Sequence, residues 1–551
     1  MGMLALNRLM PLRRDRRRRR RHHRPQIRAR SGGLIASTGK RKTSPCQQDD
    51  YDGDSQAGKI MRNSIPDLPE DILFRIQSFM SMREAARAAC VSRAFLHSWR
   101  CHPNLIFNKD TIGLKRNAFG ENFHGKIGRI LRNHSGISLK TFQLDYSGMC
   151  GFDGTSYLDS WLQIALKPEI EELTLFLPET NRQYSFPCSL LSDGVRDSLR
   201  YIKLRCCALH PTPELGPLRS LSSMHLLYVS ITWAELECLL SNSLALEHLE
   251  LNHCKGIICL KIPCTLQQLS SLNVVECSGL KVIESKAPNL SSLFVRGSRV
   301  NFSLVETLQI KKLDMGRAIC DARAKLPSIM PNLETLIIES GHEVVDAPML
   351  PTKFLYLRHL TIHMITGSTI SRPYDYFSLV SFIDASPSLE TLILNVWRWR
   401  CSFIHFVLQS FLIALGLIQA FHPFHGQVTQ VRMVHESIFT DSQLRHIPGH
   451  RHGHLKSVKI TGFSSAKSLV ELTCYILNNA VSLECLTLDT IYGPRCDQDK
   501  YRRCFPMIDG VLTEAPRGLA AIRTYIEDKV PSTVNLIVLE PCSRCHVRRR
   551  G

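Results

Sequence analysis

Between residues 170 and 488 the apolar positions keep returning in one short template, with apolar residues at i, i+3 and i+5. Leu199/Ile202/Leu204, Leu246/Leu249/Leu251 and Leu269/Leu272/Val274 carry it in full, each followed three residues on by a cysteine: Cys207, Cys254 and Cys277. Copies without the cysteine are centred on Leu173, Met224, Leu293, Leu313, Leu336, Leu360, Leu392, Val458 and Leu486. From 173 to 392 most intervals between centres fall between 20 and 29 residues, the spacing of coils stacked one per repeat. The alternation at i+3 and i+5 predicts a short strand with one face buried, and the remainder of each interval must turn and come back to close the coil. The three cysteines fall where a small buried donor or acceptor can satisfy backbone groups at that turn.

A different pattern precedes the repeats. Residues 1–62 hold few apolar side chains and are read as a disordered tail. From Ile65 helical spacing takes over: Asp67 with Glu70, then Ser81 with Glu84, are helix-start signatures, and Ser92 can cap a third segment. Ile72, Leu73, Ile76, Phe79 and Met80 share one helix face, as do Phe95, Leu96 and Trp99. Three short helices within about forty residues cannot bury all of this apolar surface, so a partner is expected to cover the excess.

Here the chain resembles a known family. Leu68-Pro69-Glu70-Asp71-Ile72-Leu73 is similar to the opening of an F-box, and Val91-Ser92-Arg93 to its third part, with Phe95 where the family usually has tryptophan. The repeats resemble those of plant F-box proteins with leucine-rich repeats. The segment 455–489 is similar to their FBD-type C-terminal unit, predicting strand, loop, helix over 465–479, then strand. The resemblance implies an α/β repeat fold, in which a three-helix F-box module is followed by a curved solenoid with a strand lining its concave face. It also implies that Leu68, Pro69, Ile72, Leu73, Ile76, Phe79, Val91, Ser92, Phe95 and Trp99 meet a Skp-type adaptor and through it a cullin. The chain would then be a non-catalytic substrate receptor of a ubiquitin ligase, or else a repeat scaffold acting outside any ligase. Its protein target cannot be read from the repeats.

Charge changes this picture little. The formal charge is +20, but fifteen Lys and Arg lie within residues 1–42 against Asp15 alone, and Arg544, Arg548, Arg549 and Arg550 crowd the other end. The body between is nearly neutral, so specific nucleic-acid binding is not expected. The run Arg16–Arg21 reads either as an import signal or as a solvated tail. The twenty cysteines, without a secretory leader, read as thiols in a reducing compartment, nucleus or cytoplasm.

Between Leu392 and Val458 the interval widens, and Phe403–Phe421 within it is largely apolar. A membrane crossing there would separate neighbouring coils, so the stretch is read as an insertion, in keeping with translated intron sequence, and no membrane is expected. Cys542-x-x-Cys545-His546 has the spelling of a haem attachment site but lacks its setting, and as a metal site it needs two further ligands. His446, His450, His452 and His454 read as a solvated polar loop. No catalytic residue, cofactor or metal is expected. The expected organisation is a tail at 1–62, F-box at 63–108, linker and first capping unit at 109–159, and repeats at 160–396. An apolar insertion at 397–430, a C-terminal unit at 431–540 and a basic tail at 541–551 complete it.

Overall fold

The computed structural model describes residues 68–113, 121–135, 139–146, 155–179, 183–297, 300–304, 309–316, 319–340, 352–366, 374–398, 435–440, 442–445, 450–492, 496, 504 and 509–543. The N-terminal tail, the apolar stretch Phe403–Phe421 and the Arg-rich C-terminus lie outside these residues.

Three helices open the described chain: α1 (Glu70–Ser78), α2 (Met82–Ala88) and α3 (Arg93–Arg100). Ser81 and Glu84 form the reciprocal capping box at α2, and the Ser92 side chain accepts the Ala94 N–H at α3. At α1 the expected cap is not observed: Pro69 takes the cap position without a side-chain bond, and Asp67 lies outside the described residues. Proline suits that position because the first turn of a helix leaves its N–H groups unpaired in any case.

Behind the helices, one 15-stranded sheet runs in chain order and every pairing in it is parallel. All twelve template centres from Leu173 to Leu486 fall on its strands, and each is the register partner of the next: Leu173 with Ile202, Ile202 with Met224, onward to Val458 with Leu486. The i, i+2 alternation puts these centres in one continuous buried column. Three further strands escaped the pattern: Asn104–Phe107, Thr141–Asp145 and Asn535–Leu539. The second was written in the chain as Leu139/Phe142/Leu144, with phenylalanine in the central place, so the sheet begins before the predicted repeats and inside the expected helical module.

The turns after the strands share one device. Cys206, Tyr228, His253 and Glu276, in successive coils, all have left-handed backbones, with φ of 57°, 54°, 52° and 47°. Each sends its N–H to the next coil: Cys206 to the Leu227 carbonyl, Tyr228 to Asn252, His253 to Val275 and Glu276 to Arg296, at 2.7–3.0 Å. A non-glycine residue in this region carries strain, here offset by continuing the hydrogen-bond ladder around the corner. The cysteine that follows closes the turn from inside: Cys254 Sγ donates to the Leu226 carbonyl at 3.3 Å and Cys277 Sγ to Leu251 at 3.5 Å. Cys207 is fully buried, and burial pushes its thiol up to about 12.

The return side takes two forms. Trp233–Ser241, Ile319–Ile329 and Lys467–Asn479 return as helices, whereas the coils from Leu249 to Leu313 return through Cys259–Ile262, Val282–Ser285 and Asn301–Leu304, a second parallel sheet. Trp397 and Arg398, expected at the start of the insertion, belong to the strand Thr391–Arg398, which pairs along its length with His359–Thr366. That same strand pairs directly with Ser457–Thr461, so the coils on the two sides of the apolar stretch are neighbours. No helix of the described residues is long and apolar enough to cross a membrane.

Candidate docking surfaces

The helical module divides its apolar residues between inside and outside. Leu73 is buried, and Gln77 beneath it donates from Nε2 to the Phe95 carbonyl at 2.9 Å, fastening α1 to α3. Trp99 is half-buried and packs against the main core. Both serve packing within this chain. Ile72, Phe79 and Val91 point the other way, with exposures of 40%, 81% and 77%. Pro69 is exposed, while Leu68, Ile76, Ser92 and Phe95 are half-buried. An exposed valine and phenylalanine at neighbouring helix ends cost solvation unless something covers them.

The module is tied firmly to the first strand. His102 is buried at the junction, its Nε2 3.3 Å from the Met80 carbonyl and its Nδ1 2.9 Å from the Asn104 carbonyl. His134 Nε2 lies 3.0 Å from the His102 carbonyl, and the Ser135 N–H donates to Arg100 at 2.8 Å. Burial lowers the pKa of both imidazoles, more than their carbonyl contacts raise it.

A second surface is the open face of the sheet. Outward positions of adjacent strands are paired across rungs: His225 Nδ1 with Glu250 at 2.7 Å, Tyr201 against the His225 ring at 5.0 Å, and Arg296 bridging Asp314 at 3.2 Å and Glu339 at 2.6 Å. Arg296 also lies over the Phe294 ring. The hydrogen bond from His225 holds the Glu250 carboxyl below the usual range, against burial. Mixed charge and half-exposed aromatics suit a protein surface better than a nucleic-acid backbone, which calls for uncompensated cations.

Near the far end the histidine loop is only partly solvated. His452 is buried and its Nε2 lies 3.1 Å from Asp384, which also accepts the Tyr475 hydroxyl at 2.7 Å. Arg445 joins Asp375 at 2.7 Å to the buried Glu471 at 2.5 Å, a brace that packs the helix Lys467–Asn479. Nor is Cys542 isolated from other cysteines, as its sequence neighbourhood suggested: the fold brings it beside Cys496 and Cys504. No spacing rule could have joined them, because the contact depends on where the last strand ends.

Comparison with known proteins agrees with this division. The model described as "At1g61320/AtMIF1, LRR domain" matches residues 130–407 and 399–543, and the F-box domain model matches 65–107. The FBD-associated F-box protein At5g56380 of Arabidopsis thaliana is 26% identical over 361 residues, covering 60% of this chain and 78% of its own. The F-box/LRR-repeat protein At3g03360 of the same plant is 24% identical over 60% of this chain and 70% of its own. An internalin structure from Listeria monocytogenes aligns at a TM-score of 0.26 with 13% identity, over 61% of this chain and 88% of that one, a likeness on which nothing is built.

Proposed function

Because the chain belongs to the family of F-box proteins with leucine-rich repeats, we propose that it is the substrate receptor of a Skp-cullin-F-box ubiquitin ligase. In this reading the module around α1 to α3 docks the Skp-type adaptor and the open face of the sheet holds a protein target. The chain performs no chemistry itself. It raises the effective concentration of the target beside the ligase, and ubiquitin transfer follows from proximity. The reducing nucleus or cytoplasm is the compartment that suits its many thiols.

The observation that carries the reading is the exposed apolar set Pro69, Ile72, Phe79 and Val91 on a module whose inner face is already filled. Such residues are the natural anchors of an interface, where truncating one costs about 2 kcal/mol or more. The test is adaptor capture by the full chain and by Leu68→Ala/Pro69→Ala. Strong capture by the former and a loss of roughly thirtyfold in affinity by the latter is expected. If the folded wild-type chain ignores every Skp-type adaptor, the scaffold reading, without a ligase, replaces this one.

A further inference from the structure

Cys496 and Cys504 lie on the connection between the strand Cys485–Asp489 and the helix Asp509–Tyr525, and Cys542 follows the last strand, Asn535–Leu539. Their three Sγ atoms lie within 4.8 Å of one another, with Cys496 Sγ 3.5 Å from Cys542 Sγ. A disulfide would hold two sulfurs at about 2.05 Å. Thiolates around one zinc, each about 2.3 Å from the ion in a tetrahedron, sit about 3.8 Å apart. The observed spacing is that of a ligand set.

We propose that Cys496, Cys504 and Cys542 bind a structural zinc ion that staples the end of the chain to the connection before the final helix. Three thiolates leave the fourth position of the tetrahedron to a further donor. Cys504 is buried and the other two half-buried, which shields the three sulfurs from solvent. The Cys496 N–H donates to Cys504 Sγ at 3.3 Å, the kind of outer hydrogen bond that steadies a metal-bound sulfur. The turn cysteines make the contrast: Cys254 and Cys277 direct their thiol protons to backbone carbonyls of the neighbouring coil.

Zinc is the commitment because a thiolate-rich tetrahedral site favours a soft, redox-inactive ion. Binding exchanges thiol protons for the metal, one released per ligand that arrives protonated, and no electron moves. The benefit is mechanical. Among the described residues the last strand is the edge of the sheet, and repeat arrays need their final coil held.

The experiment is metal analysis of the full chain, purified under reductant and after zinc supplementation. About one zinc per chain is expected, falling at least tenfold in Cys504→Ser and in Cys542→Ser and unchanged in Cys264→Ser, an exposed thiol elsewhere. Cobalt substituted for zinc should show thiolate-to-cobalt absorption. A metal-free wild-type chain overturns the proposal, whether its thiols are all titratable or two are lost to a disulfide. So does a Cys496→Ser/Cys504→Ser/Cys542→Ser chain that retains its zinc. Should the variants fail to fold, the metal content of the wild type and its chelator-induced drop in melting temperature still decide.

Discussion

Leu392 faces Val458 across a parallel strand pair although 66 positions separate them along the chain. Strands joined by that register stack as neighbouring coils, so residues from the two sides of the apolar stretch meet directly. Deleting 400–432 is expected to leave the sheet intact, with the far-ultraviolet dichroism preserved and the melting temperature within about 3 °C of the full chain's. Aggregation of the deleted chain, or loss of cooperative melting, would show that the stretch is part of the fold.

The two roles of the module's apolar residues separate by mutation. Phe79→Ala and Val91→Ala should weaken adaptor capture at least tenfold while leaving the melting temperature nearly unchanged, since neither side chain is packed in the free chain. Leu73→Ala should do the reverse, destabilising the module by about 2–5 kcal/mol through a cavity, seen as earlier unfolding or proteolysis at the N-terminal end.

The junction predicts a pH dependence. His102 and His134 are both depressed below the ordinary 6.5, so the unfolded chain takes up protons that the folded chain refuses. Stability therefore falls as pH drops through 6.5, and is fully present above it. Chemical denaturation between pH 7.5 and 5.5 should show the decline, and a His134→Gln variant a shallower one. An unchanged slope in that variant would remove His134 from the explanation.

Gly462 has φ of 73°, and a Cβ placed there would sit 2.1 Å from the Val396 carbonyl oxygen. Backbone on the neighbouring strand cannot yield as a flexible side chain would. Gly462→Ala should cost about 2 kcal/mol or more by combining the left-handed backbone with that clash, measured by equilibrium unfolding. A neutral result would mean that the two strands can part locally.

Much of this was legible because the repeat is a periodic signal reinforced many times over. Each centre from Leu173 to Leu486 could be placed from its neighbours, and the register in space followed the register in sequence. Phe142 was missed because the template asked for an aliphatic centre, and Asn104–Phe107 because a strand at the foot of a helical module has no neighbouring repeat in the chain to announce it. The outward set Ile72, Phe79 and Val91 could be named from the motif, but its separation from the inward-facing Leu73 and Trp99 depends on how three helices cross. The thiols at 496, 504 and 542 meet only through tertiary structure.

The bonds that lock Arg100 and His102 to the first coil turn the sheet into a ruler. Fifteen rungs at about 4.8 Å each give an arc of roughly 65 Å, with the helical module as its zero mark. Under the proposed function, with the adaptor docked at α1 to α3, the rung that a target grips fixes how far its lysines stand from the transfer machinery. Adding or removing one coil should shift the modified positions along the captive protein while leaving its grip unaltered.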